Sequence, residues 1–324
     1  VEDFFRQPQD VQITEFERFS RLILESYPLE FEAVRCINYE YNATMKVTTV
    51  DGVKFALRIN INSPRVVENL KAEIALVNHL LADGRVRVPR PIANRQGDFF
   101  TSVFHEPTGR ILNCVLYAWL SGTELEEEPG LDQVRALGQT MALMHVATAG
   151  FEIPEDAKLP TFDHVLWWTE DLLLGEKSVL AIQERALMRT ALDFIEQTCQ
   201  TMYARSTPQV IHADLHGGNV LWDRGDLSVL DFDDCGIGLP VQDLATALYY
   251  LDTPEQDAAF IAGYSSVAPL PEYSQREMDV LLLQRRIILL NYLYETKHQE
   301  HRSMIPEYQV ETLRRVEDFL NHQN

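Results

Sequence analysis

The chain has 324 residues, with 28 basic against 49 acidic side chains and a formal net charge of −21. That balance argues against a nucleic-acid or anionic-membrane partner, because both need a positive footprint. With 46% hydrophobic and 24% charged residues, a disordered or fibrous chain is also excluded. The length allows two ordinary domains or one large one, with a core that needs neither disulfides nor metals. Four cysteines (Cys36, Cys114, Cys199, Cys235) contain no C-x-x-C pair, so neither a disulfide framework nor a zinc site is expected, and the expected compartment is a reducing cytoplasm. No apolar run reaches membrane-span length; even residues 280–293 are interrupted by Gln284, Arg285 and Arg286. The start, VEDFFRQPQD, is acidic without a signal-peptide pattern, and the missing initiator Met is expected from either trimming or a chosen boundary of the sequence.

The first element reads as a helix over 14–27, with Thr14 and Glu17 spaced as a capping box and Phe16, Phe19, Ile23 and Tyr27 as its apolar stripe. The period then shortens to two, giving strands over 33–38, 43–50 and 53–59. Asp51-Gly52 joins the last two as a type I′ hairpin. A helix over 64–81 ends at Asp83-Gly84, and strands follow over 99–104 and 113–119. This first part is a small antiparallel sheet with helices on it. After Ser121-Gly122 the pattern turns helical, over 131–147, 163–175, 178–204, 241–251, 254–264, 275–297 and 307–321. Start signals are Thr253-Pro254 with Gln256, Ser274 with Glu277, and Pro306. Two short strands, 219–222 and 228–231, are joined by a turn at 223–226.

The strongest signal is VIHADLHGGNVLW at 210–222, followed by VLDFDD at 229–234. Phosphoryl transfer from ATP needs a carboxylate to orient the acceptor hydroxyl, oxygen ligands for Mg²⁺, and a cation on the phosphates. Asp214 is the candidate catalytic carboxylate, Asn219 the candidate amide ligand and Asp231 the metal carboxylate, brought back beside Asn219 by the hairpin. Taken singly, such Asp and Asn residues are usually turn formers; the run H-x-D-L-x-x-x-x-N followed by strand, hairpin and D-F-D outweighs that reading. His212 is expected to support the loop. His216 has phosphate or metal contact and loop bracing as equal alternatives, and Asp233 and Asp234 read first as behind the metal ligands or facing solvent and second as additions to the metal site. In KFALRIN, Lys54, Ala56 and Arg58 share one strand face. A small residue two places before a cation is the V-A-I-K arrangement of kinases, with room for adenine over Ala56 and Arg58 on phosphate. Glu73 is the candidate partner of Arg58, and Glu68 the runner-up. The acidic run Glu124, Glu126, Glu127 and Glu128 reads first as a solvated loop and second as a rim for an amine substrate. Trp167-Trp168 reads as one core and one partly exposed side chain, or as the border of an acceptor pocket.

With these motifs the chain resembles the aminoglycoside phosphotransferase and choline kinase-like family, nearest the group of type II homoserine kinases and stress-response kinase A. The resemblance runs from about Phe31 onward. It implies an α+β, bilobal protein kinase-like fold: a small antiparallel sheet with helices in a nucleotide-binding N-lobe (1–117), a hinge (118–122) and a larger, mostly helical C-lobe (123–324) with catalytic loop and acceptor site. It maps the adenine-binding backbone onto Ala118 and Leu120, the phosphate-covering loop onto NYEYNAT at 38–44 with a match only at Asn42-Ala43, and a loop-bracing acid onto Asp243. The segment 143–145 matches its L-x-H helix motif. The sequence departs from the pattern in lacking a glycine in that loop, in carrying Arg58 for lysine, Asp233 for the Gly of D-F-G, and Ala213 for arginine. The implied function is ATP- and Mg²⁺-dependent phosphoryl transfer to a hydroxyl of a small molecule of the amino alcohol, amino acid, sugar or aminoglycoside type. A Ser/Thr protein kinase of the stress-response type and a non-catalytic nucleotide-binding regulator are the alternatives. No nucleic-acid or membrane partner is expected.

Overall fold

The computed structural model describes residues 4–63, 65–125, 128–296 and 299–322. The chain divides into two units: one runs to Gly122 and takes in Ile153–Lys158, and the other comprises Thr123–Glu152 and Leu159 onward.

In the first unit, helix α1 spans Gln9–Leu24 and starts five residues before the expected Thr14. Pro8, with its fixed φ, stands at the helix start. Thr14 is therefore inside the helix, where its hydroxyl donates to the Asp10 carbonyl at 2.8 Å, and the Glu17 carboxylate accepts from the Cys36 N–H at 2.9 Å instead of capping. Phe16, Phe19, Ile23 and Tyr27 are buried as the spacing predicts. Strands β1 (Phe31–Tyr39), β2 (Asn42–Thr49), β3 (Lys54–Asn60), β4 (Thr101–His105) and β5 (Arg110–Ala118) form one antiparallel sheet in the order β1-β2-β3-β5-β4. The α1 stripe packs on the face bearing Met45, Val47, Leu57, Ile59, Cys114 and Leu116.

The β2–β3 hairpin forms, but only Gly52 (φ 82°) takes a positive φ; the Gly52 N–H donates to the Thr49 carbonyl and the Thr49 N–H to the Val53 carbonyl. The connection is a three-residue loop closed by a left-handed glycine, not type I′. Helix α2 spans Val67–Asp83 and stops at Gly84, φ 77°; the expected start at Pro64 lies outside the described residues. Its Leu70 and Ile74 cover Val115 and Tyr117 on the other sheet face. Ile153–Lys158 joins this unit because Lys71 pairs with Asp156 at 2.6 Å and the Lys158 N–H donates to the Glu68 carbonyl at 3.1 Å.

The second unit contains α3 (Leu131–Thr148), α4 (Ile182–Arg205), α5 (Pro240–Tyr249), α6 (Pro254–Ser265), α7 (Gln275–Glu295), α8 (Gln299–Ser303) and α9 (Ile305–Asn321). Its strands are β6 (Thr123–Glu124), β7 (Gln209–Ile211), β8 (Val220–Asp223), β9 (Asp226–Val229) and β10 (Gly236–Gly238), in sheets ordered β6-β8-β9 and β10-β7. Arg224 (φ 55°) and Gly225 (φ 100°) make the tight β8–β9 turn. α3 and α6 approach at glycines: a Cβ on Gly138 would lie 2.1 Å from the Phe260 carbonyl oxygen, and one on Gly263 2.0 Å from that of Arg135.

The helix expected over 163–175 does not form. Trp167 (φ 51°) and Trp168 (φ 62°) are left-handed there, and the backbone is satisfied by side chains from neighbouring helices. Glu196 of α4 accepts from the Val165 N–H at 2.8 Å, Gln284 of α7 donates to the Val165 carbonyl at 2.9 Å, and Asn291 accepts from the Leu172 N–H at 2.9 Å. Long-range side-chain hydrogen bonds override the local period. Among the described residues no helix is long and apolar enough to cross a membrane.

Candidate active site

On the first unit, strand register sets Ala56 opposite Tyr117 and Arg58 opposite Val115, on the face that α2 covers. Arg58 Nη2 meets Glu73 Oε2 at 2.5 Å, and their side chains are 11% and 5% exposed. The other Glu73 oxygen accepts from the Tyr117 hydroxyl at 3.0 Å, and the guanidinium lies over the Tyr117 ring, 5.7 Å from its centre. Glu73 is thus closed at both oxygens. The sequence reading missed Tyr117 as the second clamp; only its β3–β5 register reveals it. Glu68 uses its backbone carbonyl to accept from Lys158.

Asn42 opens β2 opposite Asn60. The expected phosphate-covering loop is almost all strand: only Glu40 and Tyr41 lie between β1 and β2, and the Glu40 N–H is bound to the Asn42 carbonyl at 3.0 Å. A backbone cradle of the glycine-rich kind is not what this turn presents. Ala118 pairs with Phe55 and donates its N–H to the Arg90 carbonyl at 2.8 Å. Leu120 is half-buried, and its N–H makes no hydrogen bond among the described residues. Lys46 lies over the neighbouring Trp119 ring at 5.5 Å.

On the second unit, the loop after β7 is held from below. Asp243, fully buried at the start of α5, accepts from the N–H groups of His212 (2.9 Å) and Ala213 (2.6 Å). Its Oδ2 also meets His145 Nε2 at 3.0 Å, whose Nδ1 pairs with the Tyr264 hydroxyl at 2.9 Å. His212 Nε2 pairs with the Leu230 carbonyl at 2.9 Å, tying the loop to the segment before Asp231. Ala213 takes φ 68°. This left-handed residue turns the chain so that Asp214 leaves the core, with a side chain 24% exposed.

Asn219 donates from Nδ2 to the Asp214 carbonyl at 2.8 Å and to Asp214 Oδ2 at 3.0 Å. The reverse amide orientation would set oxygen against two oxygens, so both amide hydrogens are spent on Asp214 and the Asn219 carbonyl is the end left for a cation. The Leu230 N–H donates to the Asn219 backbone carbonyl at 2.8 Å, which places Asp231 beside Asn219 along the hairpin. Asp231, φ 53°, is exposed, and Phe232 behind it is buried against His212, ring centres 4.9 Å apart. Among the described residues no group of three or more His, Cys, Asp or Glu could hold a metal. One amide oxygen and one carboxylate fit magnesium, which takes few protein ligands and completes its shell with phosphate and water.

One residue of this cluster has no precedent in the motif. Arg285, on α7, sends Nη2 to Asp214 Oδ1 and, at 2.9 Å, to the Tyr250 hydroxyl. His216 Nε2 stands 3.6 Å from Asp214 Oδ2, and its ring lies tilted against Tyr250, ring centres 4.5 Å apart. Burial raises the Asp214 pKa; the nearby His216 imidazole and the charge of Arg285 outweigh it and hold the carboxyl below its ordinary range. Trp167 packs on Phe162 at 4.5 Å in a cluster with Ile211 and Ala213, whereas Trp168 is 66% exposed. Of the acidic run, Glu124 lies in β6 and Glu128 is exposed, while Glu126 and Glu127 lie outside the described residues.

An antiparallel sheet unit joined to a helical unit whose loop carries Asp214, Asn219 and Asp231 is the protein kinase-like design of a phosphotransferase. The model of the phosphotransferase enzyme family matches residues 40–278, so the chain belongs to that family, a class of kinases and phosphotransferases acting on hydroxyl groups. It is similar to amicoumacin kinase of Bacillus subtilis (strain 168), 26% identical over 248 residues that cover 75% of this chain and 70% of that protein. Homoserine kinase of Neisseria meningitidis serogroup B is 31% identical over 211 residues, covering 63% of this chain and 64% of that one. The chain thus spans about two thirds of the length of these relatives. Among solved structures, a microcompartment-associated aminopropanol kinase superimposes with a TM-score of 0.77 at 23% identity, covering 94% of this chain and 98% of that one. An amicoumacin kinase in complex with AMP-PNP, Ca²⁺ and Ami gives 0.75 at 18% identity, covering 94% and 96%. At these identities the structures establish the fold.

Proposed function

We propose that this protein transfers the γ-phosphoryl group of ATP to a hydroxyl of a small molecule in the amino alcohol, amino acid, sugar or aminoglycoside range. The observation that carries this reading is the double donation of Asn219 to Asp214, which fixes the carboxylate and turns the amide oxygen away from it. Asp214 orients the acceptor hydroxyl and takes its proton. Asn219 and Asp231 are the residues to hold Mg²⁺, which when bound neutralises phosphate charge. Arg58, positioned by Glu73 and Tyr117, serves the ATP phosphates. Ala56 leaves room for the base, and backbone groups of Ala118 and Leu120 serve its edge; Asn42 borders the phosphates. The amicoumacin kinase complex, which holds AMP-PNP and Ca²⁺, supports use of a nucleotide with a divalent ion. A small acceptor is favoured over a protein, because only eight residues separate Asp231 from α5 at Pro240, too few for a peptide-docking segment.

The test is ADP release with ATP and Mg²⁺ against a panel of amino alcohols, amino acids, sugars and aminoglycosides. The expected result is acceptor-dependent turnover with at least one class, lost on chelation of Mg²⁺. Nucleotide binding without turnover across the panel favours the regulator reading instead.

A further inference from the structure

We propose that Arg285 is a positioning residue for phosphoryl transfer, holding the Asp214 carboxylate by Oδ1 so that its Oδ2 edge faces the acceptor hydroxyl. The proposal rests on the assignment of Asp214 above. Arg285 lies 71 positions from Asp214 and reaches it from a different element, with a side chain only 8% exposed. Its neighbours on α7 are engaged elsewhere: Gln284 donates to the Val165 carbonyl, and Arg286 reaches the Tyr249 hydroxyl and Thr312 Oγ1. Arg285 alone of the three is turned to the catalytic loop. Tyr250 fixes the guanidinium twice, by accepting from Nη2 at 2.9 Å and by lying under it, ring centre 5.4 Å away.

A buried ion pair is a poor device for stability, since desolvating both charges offsets most of their attraction. It is an effective device for orientation, because the planar Nη2 group sends its two N–H bonds in fixed directions, one to Asp214 and one to the Tyr250 hydroxyl. Asp214 is accordingly held at Oδ1 by Arg285 and at Oδ2 by Asn219, with His216 near the same oxygen. A carboxylate fixed at both ends keeps a free lone pair in one place, which is where an acceptor hydroxyl must donate. The buried Arg285 Nε has no hydrogen-bond partner among the described residues, so local packing alone does not account for this side chain.

The test compares Arg285→Met, Arg285→Lys, Tyr250→Phe and Asp214→Asn in the full chain. Turnover is followed by ADP release with the best acceptor of the panel, ATP·Mg²⁺ binding by calorimetry, and folding by thermal unfolding. The expected result for Arg285→Met is a kcat loss of about 10²-fold, the usual scale for a misplaced catalytic group, with the KM for ATP within about twofold. Arg285→Lys recovers part of kcat, because a point charge restores attraction without the fixed directions, and Tyr250→Phe loses less than either. Should Arg285→Met fail to fold, Arg285→Lys and Tyr250→Phe decide by the same split. Wild-type kcat in folded Arg285 variants while Asp214→Asn is inactive overturns this inference alone. Near wild-type turnover in Asp214→Asn overturns the assignment of Asp214, and the role of Arg285 falls with it.

Discussion

Arg58–Glu73 in the first unit and Arg285–Asp214 in the second are chemically the same pair with the exposure reversed. In the first the arginine is the more open partner, 11% against 5%; in the second the carboxylate is, 24% against 8%. Glu73 is clamped by Tyr117 and Arg285 by Tyr250, so in each pair a tyrosine hydroxyl secures the buried member. On the proposed reading the buried member is the holder and the open one meets substrate: Arg58 the phosphates, Asp214 the acceptor. Substituting an open member is then a test of chemistry, and substituting a buried one a test of positioning.

The largest effect is expected at Asp231, which on the proposed reading is the one carboxylate turned to the metal. Asp231→Ala should abolish Mg²⁺-dependent ATP binding, read by calorimetry with and without Mg²⁺; unchanged dependence would move the site to Asp233 or Asp234. Next comes Arg58→Ala, which should raise the KM for ATP by on the order of tenfold or more, as loss of a buried charge-assisted contact does. Arg58→Lys should recover part of it, and Glu73→Gln should be milder. A KM for ATP unchanged in all three would break the comparison on the first unit's side.

Two smaller effects sharpen it by separating stability from positioning. Gly138→Ala pushes a methyl toward the Phe260 carbonyl and should cost about 1–3 kcal/mol in unfolding experiments without altering the KM for ATP. Glu277 opens α7, the helix that carries Arg285, and its hydrogen bond with Arg205 lowers its pKa to about 2. A depressed carboxyl stabilises the fold above its ordinary pKa and loses that contribution as pH falls through the folded value. Glu277→Gln should therefore flatten the fall in stability between about pH 4 and pH 2, seen in denaturant titrations, and leave kcat at neutral pH unchanged. A drop in kcat would mean that Arg285 variants act through α7 as a whole.

The two pairs also differ in how far each was legible in the sequence. Arg58 and Glu73 are separated by 15 positions, and strand parity followed by a helix is enough to bring them into question together. Asp214, Asn219 and Asp231 sit on one loop and hairpin, where spacing carries the geometry. Arg285 appeared only as a charge interrupting an apolar stretch, yet Gln284, Arg285 and Arg286 are all buried and hydrogen-bonded across the second unit. No local period reports a contact 71 positions away. The same limit explains residues 163–175, whose helical spacing yields to side chains from α4 and α7, and the three-residue strands β7 and β10, too short to show a period. The early start of α1 was written in Pro8, a stronger signal than the Thr14–Glu17 spacing.

The most direct measurement is transfer of labelled γ-phosphate from ATP to the panel acceptors by wild type and Asp214→Asn side by side, with ATP·Mg²⁺ affinity determined for both. Wild type should label at least one hydroxyl compound, and Asp214→Asn should bind ATP·Mg²⁺ equally well while transferring about 10²–10⁴-fold more slowly. Equal rates of transfer by the two proteins would contradict the account.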